Sequence, residues 1–197
     1  MMYALSNNIR VKPQPKKTAL CPNCGNTVFA KCGKINIWHW SHKNSDCDTW
    51  SEPESEWHKM IKEWFPENFR EVILPPHRAD IKLSNGYVVE LQHSHISSDE
   101  ISERENFYKK MIWFIDGTDF EKNFIIRNKG TYATFKWFHP RRTWSVAKKP
   151  IYIHLPEQKV FFIIKKSYQN MKSGWGEMYD IDYFYPDYRI IDPTLNA

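Results

Sequence analysis

Arg78-Ala79-Asp80-Ile81-Lys82-Leu83-Ser84-Asn85-Gly86-Tyr87-Val88-Val89-Glu90-Leu91-Gln92 reads as two strands joined at Ser84-Asn85-Gly86, and its register decides the fold. Side chains alternate between the two faces of a strand, so a shift of one residue turns every side chain over. A two-residue Asn85-Gly86 turn would pair Ser84 with Tyr87 and send Asp80 and Glu90 to opposite faces. A three-residue loop, with Gly86 in the left-handed conformation, pairs Leu83 with Tyr87 and sets Asp80 opposite Glu90. One face then gathers Asp80, Lys82, Val88, Glu90 and Gln92, and the other gathers Ile81, Leu83, Val89 and Leu91. Only the second register separates polar from apolar side chains, so the three-residue loop is expected despite the strong Asn-Gly turn signal. Two carboxylates facing each other repel, and burying them is costly unless a cation lies between them. Hard oxygen donors suit Mg²⁺ or Mn²⁺, which can activate a water and neutralise a phosphate. The bland alternative is a solvated hairpin face on which Lys82 pairs with one acid.

The flanking segments are read outward from that hairpin. Val72-Ile73-Leu74 is a short strand stopped by Pro75-Pro76, and Ser51-Glu52-Pro53-Glu54 carries the start signals of a helix with Trp57, Ile61 and Trp64 on its buried stripe. Ser97, with Glu100 three residues on, starts a second helix running to about Lys109. Met111-Ile112-Trp113-Phe114-Ile115 is the continuous apolar run of a buried strand. The order helix, three strands, helix, strand matches the nuclease core known as PD-(D/E)xK. The expected fold class is therefore a mixed α+β or α/β fold with a restriction-endonuclease-like αβββαβ core. On that resemblance Asp80 and Glu90 are the metal ligands. Glu56 is the acidic residue often found on the first helix, and Gln92 stands where the family usually has lysine. Glutamine can orient a water by hydrogen bonding but brings no charge. Lys82, on the same predicted face, is the candidate to supply it.

All four cysteines, Cys21, Cys24, Cys32 and Cys47, fall in one short stretch, a clustering that points to metal rather than disulfides. Cys21-x-x-Cys24 supplies two corners of a tetrahedral zinc site. The expected set is completed by His42 and Cys47, with His39 in place of Cys47 as the alternative and Cys32 as a spare thiol. His39 lies in a predicted strand over 35–40. Such a site would staple a segment too small for a core of its own.

Taken in order, Cys21-Pro22-Asn23-Cys24, His39-Trp40-Ser41-His42, Ser55-Glu56-Trp57-His58, Arg78-Ala79-Asp80-Ile81, Glu90-Leu91-Gln92, Ser94, Ile96-Ser97, Glu103-Arg104, Tyr108 and Trp113-Phe114-Ile115 resemble the CoiA-like competence proteins. The resemblance covers roughly residues 18–120, and Glu-x-Gln is common in that family. It implies a metal-dependent DNA nuclease in competence, transformation, recombination or mobile-element DNA processing. Its partners would be DNA of either strandedness and recombination proteins. The alternative is a catalytically inactive nuclease-fold module that binds DNA or assists recombination; an RNA nuclease is a weaker third reading. Since fold alone does not fix function, these remain expectations.

Composition sets the bounds. With 197 residues there is room for one catalytic domain and a small appendage, expected as a lead-in and zinc module over 1–50, a nuclease-like core over 51–128 and a mostly β extension over 129–197. Aromatics make up 16%, which argues for a packed core rather than disorder. A net charge of +5 permits nucleic-acid binding without requiring it. Arg104 and Lys82 are candidate nucleic-acid contacts, and His93 and His95 read as polar loop residues. Met1 to Arg10 lacks an apolar signal region and no stretch is long enough to span a bilayer, so a cytoplasmic protein is expected.

Overall fold

The computed structural model describes residues 1–34, 37–44 and 47–181, so part of the predicted strand over 35–40 lies outside the described residues. The chain packs as two compact units, Met1–Lys82 and Leu83–Ala197. Among the described residues the structure is mostly β, with two α-helices and three short 3₁₀ turns. No described helix is long and apolar enough to cross a membrane.

The first unit opens with five short strands, β1 (Ala4–Ser6), β2 (Ile9–Val11), β3 (Thr18–Leu20), β4 (Thr27–Lys31) and β5 (His39–Ser41). They form an antiparallel sheet in the order β2-β1-β3-β4-β5. Its core is small: Met1, Ala4, Ala19, Cys21, Val28 and Trp40 are buried together. Helix α1 (Glu56–Glu63) follows. Its N-cap is Ser55, whose hydroxyl accepts the His58 N–H, rather than the expected Ser51. Ser51 instead donates its hydroxyl to the Asp48 carbonyl, which removes it from the helix start. The helix buries Trp57, His58, Ile61 and Lys62, while Trp64 is only half-buried and Phe65 takes the core position beyond it. Strands β6 (Arg70–Leu74) and β7 (His77–Lys82) form an antiparallel hairpin around Pro75-Pro76, pairing Val72 with Ala79 and Leu74 with His77. Along β7, Ala79 and Ile81 are buried while Arg78, Asp80 and Lys82 are half-buried, the alternation read from the sequence.

The second unit begins with the loop that the register argument singled out. The Leu83 N–H donates to the Tyr87 carbonyl at 2.8 Å, the Gly86 N–H returns to the Leu83 carbonyl at 3.0 Å, and Gly86 has φ +85°. This is the three-residue loop, and only glycine takes that φ without strain. Strand β8 (Val88–Gln92) crosses through α2 (Ser98–Tyr108) to β9 (Met111–Asp116), which runs parallel to it. Ser97 caps α2 by accepting the Glu100 N–H, as expected.

The later strands are β10 (Phe124–Asn128), β11 (Ala133–Trp137), β12 (Ile151–Leu155), β13 (Val160–Tyr168) and β14 (Ser173–Asp180). The region from 129, read from the sequence as an extension, continues the same sheet. β12 lies parallel to β9, and β13, β14, β11 and β10 follow it antiparallel. Every residue of β8, β9 and β12 is buried, as for parallel strands covered on both faces. The aromatic wealth packs here: Phe124 stacks on Phe135 and meets Trp137 and Phe162, and Trp144 sets its edge on Trp113. Buried Glu105 of α2 accepts the Trp113 indole N–H and the Lys148 and Lys149 backbone N–H groups, which ties the helix to the entry of β12.

Candidate functional site

Two thiols, a third at the end of a loop and an imidazole converge in the first unit. Cys21, Cys24, His42 and Cys47 bring one ligand atom each to within 4.8 Å of one another. The Cys21 and Cys47 sulfurs are 3.7 Å apart, and Cys24 Sγ lies 3.3 Å from His42 Nε2. Four ligands at tetrahedral angles, about 2.3 Å from zinc for sulfur and about 2.0 Å for nitrogen, would stand roughly 3.4–3.8 Å apart. Donor type and spacing therefore fit a tetrahedral zinc site. The proton balance fits as well. Burial opposes ionisation of Cys24, but hydrogen bonds from the Asn26 backbone, His42 and the other thiols bring it down to about 7. Cys47 is pushed up to about 12 by burial and by sharing a proton with Cys24 and Cys21. A metal binds thiolates, so its binding releases whatever thiol protons the cluster carries. His39 turns its Nδ1 to the Ile37 carbonyl at 2.8 Å, and Cys32 is half-buried; neither belongs to the cluster.

Asp80 sits in a second cluster of the same unit. Lys62 of α1 is buried, and its ammonium lies 3.0 Å from Asp80, 3.2 Å from Glu71 and 3.1 Å from Glu54. Burial works against that ammonium, yet Glu54, Asp80 and Glu71 together hold it protonated well above its ordinary range. Glu71 is likewise buried. Lys62, Arg78 and the chain's amino group keep it ionised far below the usual carboxylate range, helped by the Met2 N–H. Asp80 is the most open of the three acids, with 21% of its side chain exposed against 3% for Glu54 and 1% for Glu71. Glu56 stands on the exposed first turn of α1, and Lys82 is half-buried at the end of β7. Sequence reading missed Lys62, Glu54 and Glu71. A lysine on the apolar stripe of an amphipathic helix was the available signal, since such a residue must find anionic partners once buried.

In the second unit Glu90 and Gln92 are both buried on β8, two residues apart and so on one face. Arg104 of α2 is buried too and donates to Glu90 at 2.8 Å, with a further short contact to Glu100. The arginine read as a candidate nucleic-acid contact thus spends its guanidinium on two carboxylates. The Gln92 amide donates to the Ser94 carbonyl at 3.3 Å. Just past the strand, His93 is 40% exposed and meets buried Asp116 at 2.7 Å, while His95 is exposed. Asp116 also accepts the Thr118 N–H and hydroxyl, so it closes the turn after β9.

Two family descriptions match the chain: "Competence protein CoiA, N-terminal domain" over residues 6–49 and "Competence protein CoiA, nuclease-like domain" over residues 56–177. The first contains the three-cysteine, one-histidine cluster, and the second contains Asp80, Glu90 and Gln92 and covers more than half of the chain. No curated protein and no solved structure matches.

Proposed function

Since the chain belongs to the competence protein CoiA family, with its nuclease-like domain, we propose that it is a metal-dependent nuclease that hydrolyses DNA phosphodiester bonds. It would act in the cytoplasm, in competence, recombination or mobile-element DNA processing, alongside recombination proteins. The observation that carries this reading is the three-residue loop closing Leu83 onto Tyr87. Continued outward from that pair, three residues back and three forward, the register read from the sequence would set Asp80 opposite Glu90. Together with the order α1-β6-β7-β8-α2-β9, this supports the PD-(D/E)xK reading, with Glu-x-Gln in place of Glu-x-Lys.

In the proposed site Asp80 and Glu90 hold Mg²⁺ or Mn²⁺. Their hard carboxylate oxygens fit such an ion, and Asp80 is open enough to turn toward one arriving from solvent. When bound, the ion supplies charge neutralisation at the scissile phosphate and a more acidic water. Gln92 orients the attacking water through its side-chain amide. Lys62 and Arg104 hold the two carboxylates in place and offset their charge. Glu56 takes a supporting place from α1, and Lys82 contacts the DNA backbone. Zinc on Cys21, Cys24, His42 and Cys47 is structural and staples the small first sheet.

One observation favours a second reading, a nuclease-fold module that binds DNA without cutting it. Each proposed acid already has a cation close by, Lys62 at 3.0 Å from Asp80 and Arg104 at 2.8 Å from Glu90. Incubation of labelled single- and double-stranded DNA with Mg²⁺ or Mn²⁺ separates the two. Cleavage by wild type that disappears in Asp80→Ala and Glu90→Ala supports the enzyme. DNA binding without cleavage in any of the three proteins supports the binding module.

A further inference from the structure

Asn23 and Asp48 stand where the thiol cluster meets the β6–β7 hairpin. Asn23 lies inside the Cys21-x-x-Cys24 knuckle. Its backbone N–H donates to Cys21 Sγ at 3.4 Å, and its side-chain amide donates both to Cys47 Sγ at 3.6 Å and to the Pro76 carbonyl at 2.7 Å. Pro76 is in the turn between the two strands. Asp48 follows Cys47 directly and is buried. One of its oxygens sits 2.8 Å from His77 Nδ1 and accepts the Trp50 N–H at 3.0 Å; the other accepts the Arg78 N–H at 2.8 Å. The His77 ring stacks on Trp50 with ring centroids 3.3 Å apart and planes 7° from parallel. The first two residues of β7 are thus gripped by the segment that Cys47 anchors. Asp80 lies two residues beyond Arg78, on the same face of the strand.

A buried carboxylate with three such contacts is expensive to displace, so whatever fixes Cys47 also fixes the start of β7. We propose that Asn23 and Asp48 are positioning residues that transmit occupation of the three-cysteine, one-histidine cluster to the β6–β7 hairpin, so that metal binding sets the placement of Asp80. The proposal rests on the zinc reading given above, but not on nuclease activity.

The test uses the full chain, with zinc content measured by elemental mass spectrometry and hydrogen–deuterium exchange followed in peptides covering 70–82 and, as a control, 98–108. In wild type, removing zinc with a chelator is expected to speed exchange over 70–82 by about tenfold, the loss of roughly one net hydrogen bond, and to leave 98–108 within about twofold. Asp48→Ala is expected to keep one zinc per chain while its hairpin exchanges fast with or without metal. Asn23→Ala removes one half-buried amide and carries the same test should Asp48→Ala fail to fold. Its response to the chelator is expected to shrink to less than about threefold. A wild-type hairpin that exchanges at the same rate after its zinc has gone would overturn the coupling and leave the zinc reading standing. So would variants that keep the full chelator response. A protein that never holds zinc would bring down the zinc reading and, with it, this inference.

Discussion

Replacing Lys62 with methionine gives the sharpest test of how the first unit is held together. The ammonium lies 3.1 and 3.3 Å from the two Glu54 oxygens, 3.2 Å from Glu71 and 3.0 Å from Asp80, and all but 3% of the side chain is buried. Methionine fills the space and leaves the carboxylates without their shared cation. Removing one member of a buried ion cluster costs about 3–5 kcal/mol, because the charges of Glu54 and Glu71 left behind cannot reach water. With a urea dependence of about 2 kcal/mol per molar for a chain this size, the unfolding midpoint should fall by roughly 2 M. The pH dependence carries a second signature. In wild type Glu71 is ionised well below the usual carboxylate range, since Lys62, Arg78 and the amino group outweigh its burial. Its contribution is therefore fully present above the unfolded value of about 4.3 and is lost only on stronger acidification, so wild type gains nothing from it between pH 8 and 5. Without Lys62 the strongest influence opposing burial is gone, while Arg78, the amino group and the Met2 N–H remain, so the Glu71 carboxyl moves up from its wild-type position toward the unfolded value. The gap between folded and unfolded values narrows, so the variant should lose less stability than wild type on acidification below about pH 4.3. Urea titrations followed by tryptophan fluorescence measure both effects. A loss below about 1 kcal/mol at pH 7, or a variant that loses as much stability as wild type on acidification below about pH 4, would refute the cluster's role.

Three further predictions concern other groups in each unit. Arg104→Met removes the buried cation 2.8 Å from Glu90 and should cost about 3–5 kcal/mol, a fall of roughly 10 °C in Tm for a chain of this length; calorimetry measures it. His154 is buried against Phe161, and burial outweighs the pull of Asp116 to push its pKa down from 6.5 to about 4. Because the unfolded chain then takes up the proton first, stability should drop as pH falls from 6.5 toward 4, and His154→Gln should flatten that slope in urea titrations. Cys24→Ser removes one of four ligands, so native mass spectrometry should find the zinc-bound fraction reduced at a chelator concentration that leaves wild type loaded.

Local chemistry made part of this legible in advance. Ser97 and Glu100 announced α2 because a capping box is read within four residues, and Gly86 announced its loop because the alternation on either side allowed one register. The knuckle spacing announced Cys21 and Cys24, and the remaining two members of the cluster were among four candidates within 26 residues. Long-range pairing was not legible. Glu71 serves the Met2 N–H from 69 residues away, and nothing near Glu71 signals that task. β12 slides in parallel beside β9 although β10 and β11 come between them in sequence, and periodicity is silent about which strands become neighbours. The start signals place the helix cap at Ser51, yet the cap is Ser55, and the contact of the Ser51 hydroxyl with the Asp48 carbonyl is not announced by the capping pattern.

A cation shared by Asp80 and Glu90 is the centre of the proposed function, and Mn²⁺ binding to the zinc-loaded protein tests it most directly. Calorimetric titration of wild type, Asp80→Ala and Glu90→Ala should show one Mn²⁺ site in wild type and lose it in each variant, with the zinc content unchanged. Mn²⁺ bound equally well by all three proteins, or not bound by wild type at all, would contradict the shared site.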